Sequence, residues 1–235
     1  LLFFGDLTGN QYAISALTGE LRWKKRIEDH SAATLTAAAE LSYGVLYVPV
    51  SSLEEGAAIA AGYPCCSFRG SIVALDAKSG DELWRRHFIP PAEQHGVNAA
   101  GTPQYGPSGV PIWAGMAMDA DHLYIATGDD YSGEGSETSD AIIALDKSSG
   151  RTVWVRQARF GDVWNGSCEN VDPVNCPEDN GPDYDYGAGP VISEDSQGRR
   201  IILAGDKGGV VTAMLAENGE SLWKTKVGRG GVVAG

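Results

Sequence analysis

Short apolar runs mark this chain, and each stops at a turn before reaching helical length. Residues 44–50 (GVLYVPV), 71–76 (SIVALD), 122–128 (HLYIATG) and 200–206 (RIILAGD) are rich in Val, Ile, Leu and Tyr, and Gly, Asp or Ser residues bound them. Such runs predict strands of four to eight residues. Long amphipathic helical runs are hard to find. Several runs lead into a Gly-containing turn and a return strand, as in 74–84 (ALDAKSGDELW), which predicts a hairpin.

The hairpins repeat. Segments 13–23, 74–84, 144–154 and 213–223 each begin with Ala and end with Trp. In all four, Ala precedes Trp by ten residues and Gly precedes it by four, and successive Trp residues are 61, 70 and 69 apart. With the intervening strands, each repeat holds about four strands. Four-stranded units in series, each with a recurring Trp, predict an all-β fold of β-propeller blades. Trp23, Trp84, Trp154 and Trp223 are read as core residues wedged between blades. About four blades are half of a large, eight-bladed propeller, and an open piece leaves bare sheet edges. The whole chain, 1–235, is therefore expected to be one propeller domain, incomplete at both ends, that needs further blades or another chain to close it.

Composition narrows the options. The chain has 235 residues, 43% hydrophobic, and a formal charge of -13. That charge excludes sequence-independent binding to nucleic acid, which needs cations to meet phosphates. No stretch approaches the roughly 20 apolar residues of a membrane span. Four cysteines fall in two local pairs, Cys65 with Cys66 and Cys168 with Cys176, and neither has zinc or haem spacing. A loop-closing disulfide between Cys168 and Cys176 is expected, and with it a periplasmic or secreted location.

Long inserts at 51–70, 89–113, 128–140 and 161–185 interrupt the blades, where a propeller presents its binding loops. They hold both cysteine pairs and most acids outside turns. His30, His87, His95 and His122 are scattered and receive no role.

The repeat ALDAKSGDELW, the adjacent cysteines of YPCCSFRG and the acidic loops resemble the quinoproteins, the propeller dehydrogenases that use pyrroloquinoline quinone (PQQ). The combination with GPDYDYGAGPVI resembles the polyvinyl alcohol dehydrogenase branch most. The resemblance implies a vicinal Cys65–Cys66 disulfide lying flat against the quinone, with Trp113 as its floor, Thr36 at its carboxylates and Lys207 at its reactive carbonyls; Arg69, which matches the family's Arg-Gly before the blade strand, is counted among the cofactor-binding residues. It implies a cation, Ca²⁺ or a lanthanide, held by Glu55 (with Glu54 as the alternative), Asp129 and Asp183, with Asp185 as an added ligand. Asp129 stands where the family has Asn. Asn165 stands where one alignment puts the base, and an amide takes no proton; a second alignment makes Asp183 the base. The implied reaction is oxidation of an alcohol, with Asp183 taking the hydroxyl proton, hydride passing to the quinone and electrons leaving to an external acceptor such as a cytochrome c. Two alternatives stay open: a non-catalytic propeller that binds proteins, and an inactive piece. Taken singly, each acid is an ordinary loop residue, and Arg69 an ordinary brace.

Overall fold

A computed structural model describes residues 1–231. Strands β1 (Leu2–Gly5), β2 (Asn10–Ile14) and β3 (Leu21–Arg26) form a three-stranded sheet. In the second sheet, β5 (Glu40–Ser42), β6 (Val45–Ser52), β7 (Ser71–Asp76) and β8 (Glu82–His87) pair in order, and β4 (Ala33–Thr34) pairs the far end of β6. The short helix α1 (Glu54–Ala57) follows β6. Next come two small pairings: the hairpin β9 (Glu93–Val97) with β10 (Pro103–Gly106), and β11 (Ser108–Gly109) with β14 (Asp130–Ser132). The third sheet runs β12 (Met116–Met118), β13 (His122–Ala126), β15 (Ala141–Asp146), β16 (Thr152–Gln157). The fourth runs β17 (Val191–Glu194), β18 (Arg200–Gly205), β19 (Val210–Leu215), β20 (Ser221–Lys226). All pairings within these four sheets are antiparallel. The architecture is the all-β propeller that the repeats predict. Two details differ: the first sheet has three strands, and the 89–113 insert, read as loop, contains strands.

The repeat spacing is a register. Ala13 sits opposite Trp23, Ala74 opposite Trp84, Ala144 opposite Trp154 and Ala213 opposite Trp223, each pair followed by a bulge. The small Ala leaves room for the indole across the hairpin. The first three of these Trp residues then reach the next sheet. The indole N–H of Trp23 donates to Ala77 O at 3.1 Å, that of Trp84 to Lys147 O at 3.1 Å and that of Trp154 to Ala216 O at 3.0 Å. The Gly of the next repeat explains the other constant spacing. Gly150 has φ +68°, and a Cβ there would lie 2.6 Å from the Trp84 ring. Gly80 meets Trp23 and Gly219 meets Trp154 in the same way. Only Gly satisfies both the left-handed backbone and the close approach.

Burial on both faces makes the middle strands continuously apolar. On β6, Leu46, Val48 and Val50 pack toward the first sheet, while Tyr47 belongs to the layer shared with the third. On β15, Ile143 and Leu145 pack toward the second sheet and Ile142 and Ala144 toward the fourth. This is the two-residue alternation of a strand, with a core on each side. No helix among the described residues is long and apolar enough to cross a membrane.

Candidate active site

The end of β13 carries the first site residue. Gly128 N donates to Pro111 O at 2.9 Å, and Val110 N donates to Asp129 O at 2.7 Å, so the segment before β12 clamps this turn. The Asp129 side chain is 4% exposed. Its neighbour Asp130 turns elsewhere, accepting the backbone N–H of Ser136 at 2.5 Å and its hydroxyl at 3.1 Å. Asp130 closes its own loop.

Asp183 sits on a left-handed backbone, φ +58°. Asp162 holds it there: one carboxylate oxygen accepts Asp183 N–H and the other accepts Tyr184 N–H, both at 2.9 Å. Lys207, in the turn between β18 and β19, donates its backbone N–H to Asp185 O at 2.8 Å. Its ammonium reaches Asp183 Oδ1 at 2.6 Å and Asp185 Oδ1 at 2.7 Å. The same ammonium lies 5.3 Å from the centroid of the Trp113 ring. The Trp113 indole N–H donates to Asp185 Oδ2 at 2.7 Å, and the Thr36 hydroxyl donates to Trp113 O at 3.1 Å. Thr36, Trp113, Asp183, Asp185 and Lys207 thus form one connected network drawn from the second, third and fourth sheets. Carboxylate oxygens of Asp129, Asp183 and Asp185 lie within 4.8 Å of one another.

Burial would push the Lys207 ammonium toward neutrality, but Asp185 and Asp183 overcome it and hold its pKa above the ordinary lysine range. Burial raises Asp185 to about 6, although Lys207 and the Trp113 N–H pull it down. Burial and the charge of Asp185 hold Asp129 well above the carboxylate range. One ammonium against three buried acids leaves the site short of positive charge.

The two glutamates divide their roles. Glu54, wholly buried, accepts the backbone N–H of Ser67 at 2.9 Å and of Phe68 at 2.8 Å, and the Tyr63 hydroxyl at 3.0 Å. It ties down the cysteine loop. Glu55 is half-buried, and its carboxyl rises to about 7 through burial first and then the charge of Asp183. It senses the cluster but lies outside the 4.8 Å set.

The cysteine pair and Arg69 belong to the loop that follows α1. Cys65 and Cys66 form a disulfide across a cis peptide bond, yet both are 0% exposed, in the core layer that includes Ala58, Phe68 and Tyr131. In the described residues the pair is enclosed by protein on all sides. Arg69 donates to Ile89 O at 3.3 Å, and its backbone bridges Gly109, so it braces the loop.

Asn165 is structural. Its amide donates to Tyr131 O and Asn175 O, both at 2.9 Å, and its oxygen caps Ser167 N. Cys168 and Cys176 are disulfide-bonded, as expected. The loop that they close carries Asn175, which donates to Ala58 O and Ala60 O. An open cavity of about 800 Å³ lies between this loop and the β9–β10 hairpin, lined in part by His95, Asn98, Gln104 and Glu134; no clustered carboxylate lines it. Two acids absent from the sequence-based set, Asp140 and Asp162, join Asp129 in a second group within 4.8 Å. Nothing in their local sequence separates them from solvated loop acids.

Known proteins resemble this chain in sequence and in fold. The family profile "Glucose/ethanol/alcohol dehydrogenase, beta-propeller domain", a PQQ family, matches residues 55–172, half of the chain. The chain belongs to the PQQ-dependent dehydrogenase propeller family. Within reach of that family, it is 35% identical over its whole length to a polyvinylalcohol dehydrogenase of Pseudomonas sp and 32% identical to one of Sphingopyxis sp. (strain 113P3). It spans 37% of the length of each. Among solved structures, the quinohemoprotein alcohol dehydrogenase from Comamonas testosteroni superposes with a TM-score of 0.70 at 21% identity, covering 96% of this chain and 34% of that one. A europium-containing methanol dehydrogenase superposes with a TM-score of 0.68 at 20% identity, covering 95% of this chain and 39% of that one. At such identities the superpositions speak for the fold. This quinoprotein chain is a partial propeller.

Proposed function

We propose that this chain forms the acidic half of a quinoprotein alcohol dehydrogenase site, binding PQQ and a hard cation and oxidising an alcohol. The observation that carries the reading is the Lys207 ammonium held between Asp183 and Asp185 and above the Trp113 ring, with Asp129 beside it. The donor set fits a hard cation: it is all oxygen, buried and short of positive charge. Asp129 Oδ1 has no hydrogen-bond partner, a costly state that a cation would relieve. Asp129, Asp183 and Asp185 would grip the ion, with Glu55 at its border.

When bound, the quinone supplies a hydride acceptor and the cation a Lewis acid. The chain's own groups do the rest. Asp183, fixed by Asp162 and facing Lys207, takes the hydroxyl proton of the alcohol. Lys207 keeps a fixed positive charge where negative charge builds on the acceptor. Trp113 offers an aromatic face, oriented by its bond to Asp185. Thr36 fixes the backbone of Trp113.

The names of the full-length relatives favour polyvinyl alcohol, a chain of secondary hydroxyls, as substrate. The related Paracoccus denitrificans methanol dehydrogenase [cytochrome c] subunit favours a cytochrome c as electron acceptor. Two disulfides favour a periplasmic or secreted setting. The test is reconstitution of the intact protein with PQQ and either Ca²⁺ or La³⁺, followed by dye-linked oxidation of polyvinyl alcohol and small alcohols. Activity that vanishes in Asp183→Asn supports the reading. An intact protein that binds the quinone with neither cation refutes it.

A further inference from the structure

We propose that a second cation binds between Asp129, Asp140 and Asp162, on oxygens that share only Asp129 with the first set. The inference shares that one ligand with the proposed active site but rests on different side chains. Carboxylate oxygens of these three residues approach within 4.8 Å of one another, and the residues are 4%, 0% and 1% exposed. Proximity of acids alone would mean little. The deciding observation is Asp140: it is fully buried, and neither of its carboxylate oxygens has a hydrogen-bond donor. Asp129 Oδ1 is in the same state.

Among the described residues no nearby cationic side chain answers them. Lys207 is engaged with Asp183 and Asp185. Arg159 stands 3.6 Å from Asp162, but its side chain is 47% exposed. Asp162 spends both oxygens on backbone N–H groups. Asp129 and Asp140 are therefore adjacent buried acids with no donor, and only two arrangements are stable. They share a proton, or they hold a cation.

The backbone is built to hold Asp140 in place. Its φ is +51°, its N–H donates to Gly128 O at 3.2 Å, and its carbonyl accepts Ala158 N–H at 2.8 Å. Both loop ends are thereby tied to the Asp129 turn and to the end of β16. Oxygen ligands at this spacing suit Ca²⁺ or a trivalent lanthanide, with water completing the shell.

The experiment counts ions. The intact protein, without quinone, is dialysed to equilibrium against Ca²⁺ and separately Tb³⁺, and bound metal is measured per molecule. Asp140→Asn keeps the side-chain shape, and Asp140→Gly removes both oxygens; each tolerates the left-handed φ. Far-UV circular dichroism verifies folding, and the folded variant of the two is the one read. The expected result is loss of one ion, or a Kd raised roughly tenfold or more, while Asp185→Asn loses a different ion. Unchanged stoichiometry and affinity at position 140, with an ion still lost in Asp185→Asn, overturns the second site and spares the first: the pair then shares a proton. No loss in either variant overturns both.

Discussion

The carboxylate of Asp162 accepts the backbone N–H of Asp183, the residue proposed above as the base, at 2.9 Å. One acid thus positions another through the main chain. The second oxygen of Asp162 does the same for Tyr184. The arrangement explains how a non-glycine residue stays at φ +58°, a conformation that ordinarily costs about 1–2 kcal/mol.

Replacing Asp162 with Ala leaves the Asp183 and Tyr184 N–H groups buried without acceptors. A loss of about 2–4 kcal/mol in stability is expected from two orphaned donors. Urea unfolding of the intact protein measures it. Cation affinity falls with it, because Asp183 is no longer fixed. A variant with unchanged stability and metal binding would show that this clamp is idle.

Among the described residues, Lys207 is the sole ammonium on Asp183 and Asp185, and its side chain is 9% exposed. Lys207→Met strands two buried carboxylates and is expected to destabilise the protein by about 3–5 kcal/mol in the absence of metal. Saturating Ca²⁺ recovers part of the loss, since the ion meets the same oxygens. Thermal melts with and without Ca²⁺ give both quantities; equal melting temperatures for native and variant protein without metal would contradict the ion pair.

Gly150 and Gly198 have φ of +68° and +75°, but only Gly150 meets an indole. Gly198→Ala carries the backbone penalty alone, about 1 kcal/mol. Gly150→Ala adds a collision with Trp84 and is expected to cost about 2 kcal/mol more, in the range of overpacked cores. Equal losses in the two variants would mean that the indole does not dock on that turn.

Asp119 joins the third and fourth sheets. It accepts from His122 N–H, Asp121 N–H, the Tyr124 hydroxyl and Arg200. Burial acts to raise its pKa, but these donors prevail and hold it at about 2. The folded value is depressed, so its contribution is complete above the ordinary value of 3.8 and disappears as pH falls through about 2. Asp119→Asn is therefore expected to lower stability at pH 5 and to match the native protein near pH 2. Urea midpoints across that range decide it, and a gap independent of pH would argue against an ionised Asp119.

The blades were legible because their signal is covalent spacing. Ala and Trp ten residues apart are cross-strand neighbours, and the Gly between them receives the previous blade's indole. The β9–β10 hairpin left no such trace: residues 93–97 are all exposed and carry no apolar alternation. At the site, Trp113, Asp183, Asp185 and Lys207 converge. Glu55 stands at the border, the Cys65–Cys66 pair packs into the core and Arg69 donates to Ile89 O. Asp140 and Asp162 escaped notice because burial of a loop acid depends on distant segments closing over it. The same limit left Glu54 standing as the alternative to Glu55, whereas in the fold Glu54 turns into the protein and Glu55 feels the charge of Asp183.

The indole-on-glycine joint has a direction. One sheet contributes the aromatic plug, and its successor contributes the socket. At the fourth sheet, Trp223 is 47% exposed, and at the first, a Cβ on Gly19 would meet nothing within 4 Å. The blades described here therefore display a loose plug at one limit and an empty socket at the other. Such head-to-tail surfaces are satisfied by ring closure with further blades; kept apart from them, copies of this segment would tend to string together into open chains.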